Sequence, residues 1–64
     1  MDKRKERKLD EIRSALVKCN YEVQTDVDRL LVTGHDLPGI GKIAAMVAKC
    51  TVEAVGNKTL VVLR

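Results

Sequence analysis

The sequence predicts a small α+β domain, a two-layer sandwich of order αββαββ with two helices on one face of a four-stranded, mainly antiparallel sheet. Two segments repeat apolar residues at three- and four-residue steps, the spacing of one buried helix face. Four shorter runs rich in branched residues fall in two pairs around turn-forming residues. The chain has 64 residues, enough for a single core, and a core this small buries only about 60% of the surface of the unfolded chain. Both helical stripes must therefore share one sheet.

The first helix runs from about Lys3 to Cys19, where Leu9, Ile12, Ala15, Leu16 and Cys19 form one apolar face. Asp2 near its start and Lys18 near its end suit the helix dipole, and Asn20 is suited to leave the helix in a left-handed conformation. Tyr21, Val23 and Thr25 alternate with Glu22, Gln24 and Asp26, the two-residue period of a half-buried strand. Asp26, Val27 and Asp28 can turn the chain, and Arg29 to Thr33 returns as a second strand, with a short helix as the alternative.

Gly34 to Gly39 interrupts the pattern; Asp36 can cap the next helix, and Pro38 is tolerated in its first turn. That helix has the stripe Ile40, Ile43, Ala44 and Val47, with Ala45, Met46 and Ala48 as an apolar flank. Thr51 to Val55 and Thr59 to Leu63 make the last two strands around Gly56-Asn57-Lys58. Leu60-Val61-Val62-Leu63 does not alternate, so the fourth strand is expected at the centre of the sheet with both faces covered. The order equals a βαββαβ ferredoxin-like plait if the first helix and strand are moved to the end of the chain.

Composition narrows the function. Tyr21 is the one aromatic residue, so a platform that stacks several bases is excluded. Twelve basic against nine acidic residues give a formal charge of +3, which favours anionic partners mildly. Cys19 and Cys50 read as reduced thiols, and no apolar run approaches a membrane span or a secretory signal, so a cytoplasmic protein without a membrane partner is expected.

No catalytic site, cofactor or metal is expected. His35 beside Asp36 could exchange protons, but no second histidine and no nucleophile motif accompany it. Cys19, Cys50 and His35 lack the paired short spacings of a zinc site. Gly41-Lys42 is followed by Ile43, and Asp36 stands where a P-loop needs its first glycine.

Two local features carry functional information. Lys3, Arg4, Lys5, Arg7 and Lys8 form the densest charge cluster, able to hold phosphates beside Arg13 and Lys18, or to serve only as a solvated helix face. Leu37-Pro38-Gly39-Ile40-Gly41-Lys42, followed by Ala45, resembles the hairpin of helix-hairpin-helix DNA-binding motifs. That resemblance implies phosphate contact by backbone N–H groups at Gly39 and Gly41, with charge from Lys42.

The stretch from Leu31 to Ile40 also looks like the first strand and turn of an ACT domain, with Gly34, Asp36 and Gly39 at the matching positions. This resemblance implies a regulatory module that binds a small effector near the turn, commonly at a dimer interface.

The leading expectation is a non-catalytic domain that binds nucleic-acid backbone through Lys3, Arg4, Lys5, Arg7, Lys8, Gly39, Gly41 and Lys42. The alternatives are a protein-interaction or homodimerisation domain and an ACT-like effector module. The plain structural alternative for the 34–42 segment is a strand end followed by a helix start with no ligand.

Overall fold

In the computed structural model, which describes residues 3–34 and 36–64, the order is α1 (Lys3–Lys18), β1 (Val23–Asp26), β2 (Arg29–Thr33), α2 (Leu37–Val47), β3 (Cys50–Val55) and β4 (Lys58–Leu63). The sheet is antiparallel with strand order β1-β2-β4-β3. Moving α1 and β1 to the end of the chain turns this into βαββαβ with strand order 4-1-3-2, the connectivity of the ferredoxin-like plait. Asp2 and His35, noted above for the helix dipole and for proton exchange, lie outside the described residues.

α1 ends as Asn20 suggests. Asn20 has φ 68°; its N–H donates to the Val17 carbonyl at 3.0 Å, and the Tyr21 N–H donates to the Leu16 carbonyl at 3.1 Å. These two bonds make a Schellman cap, which satisfies the last carbonyls of the helix and turns the chain back toward the sheet. The first strand begins later than the alternation suggests, at Val23, although the Thr33 N–H still reaches the Glu22 carbonyl at 2.9 Å.

β2 is a strand and not the alternative short helix. The last hairpin turns on Gly56-Asn57 alone, with Gly56 at φ 59°, so Lys58 already belongs to β4 and Cys50 to β3.

The core lies between the helices and one face of the sheet. Leu9, Ile12 and Leu16 of α1 and Ile40 and Ala44 of α2 pack on Leu30, Val32 and Val61. Thr59 is the one buried polar residue among those described; its hydroxyl donates to the Gly34 carbonyl at 2.8 Å, so no buried donor is left unpaired.

Strand β4 is central, as its unbroken apolar run suggests, but only one of its faces is covered. Both helices lie on the face that carries Thr59, Val61 and Leu63, and no described element covers Leu60 and Val62. Helices of 16 and 11 residues span one face of a four-stranded sheet, and the described chain has no third layer for the other.

Candidate nucleic-acid interface

The two helices run antiparallel, which follows from what meets at each end. Arg4, Lys5 and Lys8 of α1 share a depression of about 190 Å³ with Ala48, Lys49, Leu63 and Arg64. At the other end Tyr21, just past α1, donates its hydroxyl to the Asp36 carboxylate, just before α2, at 2.6 Å. Residues grouped by the sequence reading are thereby separated along the helical layer.

The basic end is built on the first two turns of α1, where Lys3, Arg4, Lys5, Arg7 and Lys8 are all exposed and Leu9 is the first buried side chain. A second depression of about 420 Å³ is lined by Lys3, Arg4, Arg7, Lys8 and Glu11. Arg4 and Lys8 border both, so the two depressions form one surface with seven cationic side chains and one carboxylate, Glu11, which meets Lys8 at 3.6 Å.

The chain has twelve basic and nine acidic residues, so seven of its twelve cations line this surface. Arg13 lies a turn or more further along and is held by Asp10 at 3.9 Å; Lys18 is at the far end of the helix, about 15 Å from Lys8 at 1.5 Å per residue.

Sequence reasoning missed Lys49 and Arg64. Their signal was present as cations flanking a helix end and a strand end. Recognising it required knowing that the β4 terminus and the α2 terminus meet the start of α1.

Gly39 lies in the first turn of α2, toward the opposite end, with Gly41 next along and Lys42 midway along the helix. Residues 37–42 are helical, the first two turns of α2, and a strand rather than a helix precedes them.

The Gly39 N–H is taken by the Asp36 carboxylate at 3.2 Å, and the Ile40 N–H by the Asp36 carbonyl at 2.8 Å. Pro38 has no N–H to offer. An anion at this helix start would have to displace a carboxylate that already caps it.

The glycines have packing reasons. A Cβ at Gly39 would collide with the Asp36 carboxylate, meeting its Cγ at 2.8 Å and the Tyr21 hydroxyl at 2.9 Å. At Gly41 it would come within 3.2 Å of Val52 Cγ2, so this glycine lets α2 approach β3 closely. Lys42 is exposed, about 9 Å along α2 from Ala48 and the basic end.

The same contacts shift two titrations. The Tyr21 hydrogen bond, with help from the Gly39 N–H, lowers the Asp36 carboxyl below its ordinary 3.8. Reciprocally, the bond to Asp36 raises the Tyr21 phenol above 10.0. Burial raises the Cys50 thiol above 9.0.

Among the described residues no group of three or more His, Cys, Asp or Glu is placed to hold a metal ion, and no helix is long and apolar enough to cross a membrane. Comparison with protein-family models, with curated proteins and with solved structures gave no match.

Proposed function

We propose that this domain is a non-catalytic binder of nucleic-acid backbone, acting through the basic end of the helical layer. The observation that carries this reading is the segregation of charge, with seven cations on one continuous surface beside a single carboxylate. Lys3, Arg4, Lys5, Arg7 and Lys8 supply one side of it and Lys49 and Arg64 the other, while Gly39, Gly41 and Lys42 are left out. Lys and Arg so placed attract phosphates and release condensed counterions, a contribution independent of base sequence.

Tyr21, the one residue among Phe, Trp and Tyr, stands at the far end beside Asp36, so the basic end offers no platform of aromatic side chains for bases. Recognition is therefore of the backbone, and duplexes are bound at least as well as single strands.

Titration of the protein into labelled duplex DNA and duplex RNA at about 50 and 200 mM salt tests this. Three or more phosphate contacts lower the affinity roughly fortyfold between these conditions, from a slope near −0.9 per phosphate. Absence of binding at the lower salt rejects the proposal.

A further inference from the structure

We infer that the uncovered face of the sheet is the contact surface for a second copy of this chain. The pairing register shows what this face carries. Gln24, Leu31, Leu60 and Glu53 lie in one row across the four strands, and Asp26, Arg29, Val62 and Thr51 in the next. Thr33, Lys58 and Val55 make the third row.

Leu31, Leu60 and Val62 form a contiguous apolar centre on the two central strands, and Val55 extends it at the β3 edge, 47% exposed. A face left to water in an antiparallel sheet normally reads as polar at every second position, whereas Leu60-Val61-Val62-Leu63 reads as a strand covered twice. Among the described residues no second covering layer is present.

The charges on this face point to its own copy as the occupant. Arg29 and Lys58 sit on the central strands at opposite ends, and Asp26 and Glu53 sit on the two edge strands, so the face carries two charges of each sign in a chain whose total is +3. A polyanion gains nothing from a neutral face, and a strongly charged protein finds no matching field there.

A copy related by a twofold axis lying diagonally between the two sheets crosses the strands near a right angle, one of the two preferred modes of sheet packing. Leu31 and Leu60 of each copy then meet at the centre. The Lys58 ammonium of each copy comes over the Glu53 carboxylate of the other, exchanging a 3.5 Å contact with Gln24 for an ion pair.

Four strands about 4.8 Å apart, of four, five, six and six residues, cover roughly 340 Å² in projection, so the interface falls at or below the lower limit of stable association. Association is expected in the micromolar range. This inference does not depend on nucleic-acid binding.

Sedimentation equilibrium over about 1 µM to 1 mM tests it. The expected mass moves from the 7.1 kDa of one chain toward twice that value. Leu31→Thr with Leu60→Thr, which retains strand preference, holds the chain monomeric at every concentration while its circular dichroism remains folded.

Glu53→Lys and Lys58→Glu each weaken self-association at least tenfold. An equimolar mixture of these two variants recovers the dimer, because both crossed pairs are then of opposite sign. Wild type that stays monomeric at 1 mM, a dimer unaffected by the two threonines, or a mixture no more associated than its components overturns the proposal.

Discussion

The two ends of the helical layer differ in what happens to their charge. At the end where α2 begins, Asp36 is satisfied within the chain: it accepts from Tyr21 and Gly39, and its neighbourhood is arranged around that carboxylate. At the end where α1 begins, seven cations and Glu11 line two shallow depressions, with Glu6 the acidic residue of the first turn. Internal satisfaction of a helix terminus contributes to stability and leaves little for a ligand. Unbalanced charge contributes nothing to stability and much to attraction at a distance.

The largest expected effect is at the basic end. Lys5→Gln, Lys8→Gln and Lys49→Gln together lower duplex affinity at least tenfold at about 100 mM salt and flatten the log-log salt dependence by about three units. Lys42→Gln, midway along α2 and outside the basic surface, changes affinity less than twofold. Equal losses from the two variants would erase the distinction between the ends.

At the capped end the expected effect is on folding. Asp36→Ala removes the cap of α2 and the partner of Tyr21, and lowers Tm by on the order of 5 °C while duplex binding well below Tm is unchanged. Because the folded-state pKa of Asp36 is depressed, its contribution is complete above the unfolded value of 3.8 and is lost as pH falls through the folded one. Acid titration followed by circular dichroism therefore shows a shallower loss of stability for Asp36→Asn than for wild type below about pH 4.

Gly39→Ala sharpens the contrast further. Alanine is favoured over glycine in a helix by about 1 kcal/mol, but here its Cβ displaces the Asp36–Tyr21 pair, so thermal melting is expected a few degrees lower. The smallest effect concerns the thiols. Cys19, exposed just past α1, reacts with a thiol reagent before Cys50, which is half-buried with a raised pKa.

What could be read in the sequence follows the range of the interactions. Asn20 closing α1, Asp36 opening α2 and the central place of β4 rest on signals within a few residues, and each is found in the structure. The packing reason for Gly39, the Tyr21 hydroxyl bound to Asp36, comes from fifteen residues before Asp36 and has no local signal. Lys49 and Arg64 join the basic surface only because antiparallel helices and the end of β4 bring three distant segments together. The expected second cover on β4 rested on hydrophobicity alone, and no described element provides it.

The most direct test of the central claim is a map of backbone amide shifts on adding a short DNA duplex to the isotopically labelled protein. Perturbation concentrated at residues 3–8, 48–49 and 63–64, with residues 36–42 silent, is the predicted result. Perturbation centred on residues 36–42, or none at low salt, would contradict it.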